Sequence, residues 1–236
     1  MRHIGKAAAA GALLLVMGAG GVLAQDSKPD PKTSFFVTSV GSGKGADLGG
    51  LAGADNHCAE LANAAGIKGK TWKAYLSTST VSARDRIGKG PWYNVRGVMV
   101  ASSVDDLHSA NNKLNKQNSL TEKGGVVNGI GDMPNTHDML TGTNDQGTLQ
   151  QPMPIPPPPG APAGTAPSAP PDNMTCNNWT TSASGGNPRA MLGHVDRMGA
   201  GAAGPSWVAA HASRGCSQDE LKISGGAGLY YCFAAN

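Results

Sequence analysis

The residues best equipped for chemistry are six histidines, four cysteines, four tryptophans and scattered carboxylates and amides. The cysteines, Cys58, Cys176, Cys216 and Cys232, are even in number and none forms a C-x-x-C pair. That favours disulfides over a zinc or thioredoxin-type redox site. Four cysteines allow three pairings, and spacing does not choose among them. His137-Asp138 and His194-Val195-Asp196 put imidazole beside carboxylate, as a hydrolytic triad requires. However, the chain has no G-x-S-x-G elbow and no H-E-x-x-H spacing. The expectation is therefore surface histidines, with no catalytic residue, no metal ligand and no cofactor.

Four further motifs carry weaker signals. Calcium takes six to eight oxygens, and Asp132, Asp138, Asn144 and Asp145 crowd one stretch; a solvated polar loop is the expected use. Gly41-Ser42-Gly43-Lys44-Gly45 lacks the residues that complete a phosphate-binding loop and reads as a turn. A sugar offers an apolar C–H face and a rim of hydroxyls, so its sites pair aromatic rings with amides. Trp92, Tyr93, Asn177, Asn178, Trp179 and Trp207 are the candidate ligand-binding residues on that ground. Core packing is the competing use of Trp72, Trp179 and Trp207. Asn173-Met174-Thr175 and Asn178-Trp179-Thr180 match glycosylation sequons.

Short elements must position these groups. Ser34 to Val40 is aromatic and β-branched and reads as a first strand. Leu51, Ala54, Cys58, Leu61, Ala62 and Ala65 recur at helical spacing up to Gly66, placing Cys58 on a buried face. Trp72 to Ser77 alternates as a strand, Thr80 to Ile87 suits a helical turn capped by Ser82, and Gly97 to Ala101 suits a short strand. Ser102 to Gln151 is polar and reads as mostly irregular. Cys176 to Thr181, Ala190 to Val195 and Leu229 to Ala234 read as strands. The order is that of an α+β domain whose terminal strands lie side by side.

Composition bounds the rest. The 236 residues suit one domain, and the 34 glycines and 16 prolines favour loops and short strands. Charged residues are 15%, below the roughly 25% of an average domain. Residues 1–24 carry Arg2 and Lys6, an apolar stretch from Ala7 to Leu23 and a small-residue end at Ala24, the pattern of a cleaved signal peptide. The formal charge of +3 falls by two without Arg2 and Lys6. Such a near-neutral chain has no electrostatic footprint for nucleic acid, and no later stretch suits stable membrane insertion. Residues 25–33 read as a flexible lead-in. Residues 34–236 read as a single domain interrupted by a Pro-rich insertion at 152–171.

As an ordered set, FFVTS, LGGLAGADNHC, TWKAYLSTST, SARDRI, TCNNWT, SRGCS and GLYYCF resemble bacterial exported domains of the C-type-lectin-like superfamily, on its endostatin-like branch. The resemblance spans about Ser34 to Ala234, apart from the insertion. It implies a compact α+β fold with one main N-terminal helix, a long irregular loop region and Trp72 to Leu76 as the central strand. It also implies nested disulfides, Cys58 to Cys232 and Cys176 to Cys216. Function would be the recognition of carbohydrate or glycoprotein by a secreted or periplasmic protein; an adhesin for extracellular-matrix proteins or a structural envelope protein is the alternative. The calcium motifs Glu-Pro-Asn, Gln-Pro-Asp and Trp-Asn-Asp are absent, since Gln151-Pro152 is followed by Met153. No histidine cluster of the endostatin kind stands near the mature N-terminus. Calcium-independent binding is therefore expected.

Overall fold

The computed structural model describes residues 28–152, 174–199 and 206–236, with Met1, Gly160, Pro162 and Gly164. The signal segment with its Ala24 end, the first residues of the lead-in and most of the Pro-rich insertion lie outside the described residues.

The elements are β1 (Phe35–Val37), α1 (Gly50–Ala64), β2 (Trp72–Ala74), α2 (Ala83–Arg86), β3 (Trp92–Tyr93), β4 (Met99–Ala101), α3 (Val104–Leu107), β5 (Asp138–Leu140), α4 (Cys176–Trp179), β6 (Met191–His194), β7 (His211–Ala212), α5 (Gln218–Ser224), β8 (Gly226–Leu229) and β9 (Tyr231–Ala234). The chain is thus mixed α+β, with small sheets ordered β1-β9-β2, β3-β4 and β7-β6-β5-β8. The terminal strands pair as expected, with Phe35 opposite Phe233 and Val37 opposite Tyr231. The centre of that sheet is β9, however, and β2, expected to be central, lies at its edge.

Strand alternation explains why β9 is apolar along its whole length. Phe36, Ala74 and Cys232 are cross-strand neighbours on one face and join the core beneath α1. Phe35, Tyr231 and Phe233 occupy the other face and join a second core with Trp92, Tyr75 and Trp207. A strand buried on both sides cannot alternate with polar residues. The buried stripe of α1 is small, Ala54, Cys58 and Ala62, so the helix lies close enough for Cys58 to bond Cys232. Asp55, on the same helix, receives both nitrogens of the Arg86 fork at 3.0 and 2.9 Å, Lys73 at 2.9 Å and the Ala74 N–H at 2.9 Å. These bonds dock α1 against β2 and α2.

One segment differs from the sequence expectation, and two others carry short elements that it did not name. Residues 176–179 are not a strand but a left-handed turn, with φ of 48, 54, 56 and 67°. The Thr175 hydroxyl accepts the Asn178 N–H, and the second disulfide, Cys176 to Cys216, holds the turn in place. Asparagine tolerates this conformation better than most residues, which suits Asn177 and Asn178. The polar stretch 102–151 contains α3 and β5. Residues 218–224 form α5, entered through a Ser217–Glu220 capping box and closed by Gly225 at φ 109°.

Both disulfides close large loops, with sequence separations of 174 and 40. Chain entropy assigns the first about 5 kcal/mol and the second about 4 kcal/mol. Urea unfolding of paired Cys→Ser variants should show both losses, the larger for Cys58 with Cys232. The reverse order would mean that the links act through local contacts rather than chain entropy.

Candidate metal centre

The four-stranded sheet gathers residues that stand far apart in sequence. β5 and β6 run antiparallel with Asp138 directly opposite His194. β7 pairs with β6, setting His211 opposite Leu192. Leu192 and His194 are two apart and share a face, so Asp138, His194 and His211 project to one side of the sheet. His137 precedes β5 and is fixed where its carbonyl accepts the Val195 N–H at 2.9 Å. Its ring stacks on His194, with centroids 4.1 Å apart. Gly193 permits this arrangement, because a Cβ there would lie 1.8 Å from the Trp207 carbonyl oxygen.

Three imidazoles converge on one carboxylate oxygen. The Nε2 atoms of His137, His194 and His211 lie 3.3, 3.4 and 3.5 Å from Asp138 Oδ1. Each Nδ1 faces an acceptor that carries no hydrogen: Asp196 Oδ1 at 3.0 Å, the Met198 carbonyl at 2.6 Å and the Ala212 carbonyl at 3.1 Å respectively. The proton of each neutral ring is therefore on Nδ1, and the Nε2 lone pair points at Asp138. Asp138 and His194 are buried, and both Asp138 oxygens and His194 Nε2 lack a hydrogen bond among the described residues.

Lone pairs facing a carboxylate at these distances repel unless a proton or a metal ion joins them. A tetrahedral zinc ion with bonds of about 2.0–2.1 Å sets neighbouring ligand atoms roughly 3.3 Å apart. The observed separations from Asp138 Oδ1 match that edge. The inner trio of His137, Asp138 and His194 offers ligand atoms all within 4.8 Å of one another. His211 stands beside this trio at the rim of the sheet, its side chain 41% exposed.

The surroundings support a cation. Asp196 accepts the Ile130 N–H at 2.8 Å and the Met198 N–H at 3.1 Å besides the His137 ring. Burial raises its pKa, but these three donors outweigh burial and hold it below the usual carboxylate range. The His194 pKa is lowered, by burial first and then by His137, which keeps its nitrogen available as a ligand. The His211 pKa is raised, chiefly by a hydrogen bond to Asp138, which favours a proton on that ring rather than a free lone pair. Asp196 behind His137 is the carboxylate–histidine pairing that orients metal ligands.

The histidines expected at the surface are thus partly a buried cluster, with His137 and His194 in the interior. The calcium candidates have separate uses. Asp132 pairs with Lys116, Asn144 caps its own turn, Asp145 accepts the Ser206 hydroxyl at 2.6 Å and Asp138 belongs to the histidine cluster.

The sugar candidates do not form one surface. Trp92 is 1% exposed, donates to the Ala234 carbonyl at 3.0 Å and meets Phe233 edge-on. Trp179 is buried and donates to the Ser77 carbonyl at 2.7 Å. Trp207 packs between Tyr75 and Tyr231. These three rings fill the core instead of presenting a stacking face. Tyr93 is half-buried under Lys32. Asn177 is exposed and donates to the Thr180 hydroxyl, whereas Asn178 bonds both the N–H and the hydroxyl of Ser79.

No protein-family model and no curated protein sequence matches the chain.

Because Trp92 is a core side chain, Trp92→Ala should lower unfolding free energy by about 3–5 kcal/mol. Denaturant titration checks this; stability unchanged within about 0.5 kcal/mol would instead mark Trp92 as a surface residue.

Proposed function

We propose that the chain is an exported binding domain, of C-type-lectin-like and endostatin-like architecture, that holds a divalent transition-metal ion of the zinc class. The ligands are His137, Asp138 and His194, with His211 beside them at the rim. The observation that carries this reading is the convergence of three imidazole lone pairs on a buried carboxylate whose oxygens have no hydrogen bond among the described residues. Nitrogen and oxygen donors in a tetrahedral set suit zinc above harder cations. Asp138 and Asp196 together balance a divalent charge.

The three ligands tie β5 and the residue before it to β6, so metal binding adds to folding free energy. Recognition of carbohydrate or glycoprotein remains the role of the domain as a whole. It is supported by the paired terminal strands and the nested disulfides. Export is supported by those disulfides and by the signal-like N-terminus. No described helix is long and apolar enough to cross a membrane.

Calorimetric titration of metal-stripped, oxidised protein with zinc tests the site. One ion per chain should bind, and zinc at a thousandfold excess over Kd should raise stability by about 4 kcal/mol. Asp138→Asn should abolish tight binding, and Asp196→Asn should weaken it roughly 10- to 100-fold. Absence of binding by the wild-type protein, or unchanged binding by a folded Asp138→Asn variant, would overturn the reading.

A further inference from the structure

His137, Asp138 and His194 supply three ligand atoms, all within 4.8 Å of one another. His211 stands close to one of them and outside the group. Its Nε2 lies 3.5 Å from Asp138 Oδ1, yet it does not join the set of mutually close atoms. The ligands of a tetrahedral ion with bonds of about 2.0–2.1 Å all stand roughly 3.3 Å apart. An ion seated among the trio therefore leaves His211 outside its shell. One of its four positions has no side chain among the described residues.

The fold closes most sides of that ion. His137 and His194 stack ring on ring, and Asp196 sits behind His137. The Met198 carbonyl holds His194 Nδ1, and a Cβ on Gly199 would lie 3.1 Å from the same ring. The side chains of His137, Asp138 and His194 are 5, 1 and 8% exposed, against 41% for His211. His211 meets His194 with ring centroids 5.0 Å apart. Of the four groups, His211 is the one that stands between the cluster and solvent.

His211 also forms part of the wall of a cavity of about 480 Å³. Arg214 and Ile223, both exposed, belong to the same wall, which has no acidic side chain among the described residues. The Arg214 N–H donates to the Ser224 hydroxyl at 3.0 Å, which anchors the backbone there. The Ser213 and Ser224 hydroxyls are engaged with the Gly215 and Glu220 carbonyls.

Charge selects the donor that fills the vacant position. Asp138 offsets one of the two charges of a divalent ion within its first shell, and Asp196 acts only through the His137 ring. Arg214 adds a positive charge beside the approach. An anionic oxygen is drawn to such a position more strongly than a neutral hydroxyl. A carboxylate is the oxygen anion that zinc accepts beside imidazole.

We propose that the ion keeps its fourth position open on the His211 side and there exchanges water for the carboxylate of a small external ligand. The water leaves intact as the carboxylate oxygen takes its place, so no proton or electron is transferred. The inference rests on the metal centre proposed above and names the ligand class that completes it.

Visible absorption of metal-stripped, oxidised protein loaded with cobalt(II) tests it, because the d–d bands of cobalt change when one of its ligands is exchanged. Sodium acetate should shift the bands saturably. Ethylene glycol, a neutral hydroxyl donor, should act at least about tenfold more weakly, the scale that separates a charged partner from a neutral one. His211→Ala should respond to acetate as the wild-type protein does. A response that appears only in His211→Ala would make His211 the fourth ligand and overturn the proposal. Cobalt bound with bands indifferent to acetate, or equally sensitive to ethylene glycol, would overturn it and leave the metal centre standing. A protein that takes up no cobalt would overturn the metal centre and this inference together.

Discussion

A carboxylate taken out of water with neither oxygen hydrogen-bonded is costly, by several kcal/mol for an ion left without compensation. Asp138 is in that position, and the groups that surround it are imidazole nitrogens oriented with lone pairs inward. The carboxylate and the rings satisfy one another only with a proton or a metal ion between them. This constraint orders the whole second sheet. It explains why Asp138 and His194 are register partners, why His137 is braced by a second buried carboxylate and why Gly193 must yield space to the Trp207 carbonyl.

The remainder of the molecule holds those strands at fixed separation. β9 anchors the first sheet from the centre, with a core on each face, and Cys58 fastens α1 to it. The Ser77 N–H, just beyond β2, donates to the Thr141 carbonyl just beyond β5, and the Tyr231 hydroxyl on β9 donates to the Trp207 carbonyl beside β6. Through these links the two sheets share one framework. The second disulfide then fixes the turn at 176–179 and the end of the β6–β7 pair, where the arginine-lined cavity opens.

Much of this scaffold was legible in sequence. The helical spacing of Ala54, Cys58 and Ala62 announced α1 and its buried face, and SFFV and LYYCFA announced the paired terminal strands. Other parts were hidden for physical reasons. β5 is three residues of Asp-Met-Leu inside a polar stretch, and its stability comes from neighbours on both sides rather than from propensity. The left-handed turn at 176–179 depends on a disulfide and an Asn178–Ser79 contact, and the asparagine pair in CNNWT tolerates it without dictating it. The helix α5 did carry a sign, since Ser217 and Glu220 stand three apart and Gly225 follows. The histidine cluster escaped because local spacing rules find two histidines on one helix, whereas here His137 precedes β5 and His194 and His211 lie on β6 and β7. The tryptophans were informative as core residues, and their indole N–H groups found backbone carbonyls where a sugar ligand was anticipated.

The central claim is the identity of the atoms around the ion, and X-ray absorption at the zinc edge reads those atoms directly. The account predicts four nitrogen or oxygen neighbours at about 2.0–2.1 Å, with no sulfur. Outer-shell scattering from two imidazole rings should accompany them. A first shell of six oxygens, a sulfur neighbour, or outer-shell scattering from fewer than two imidazoles would contradict it.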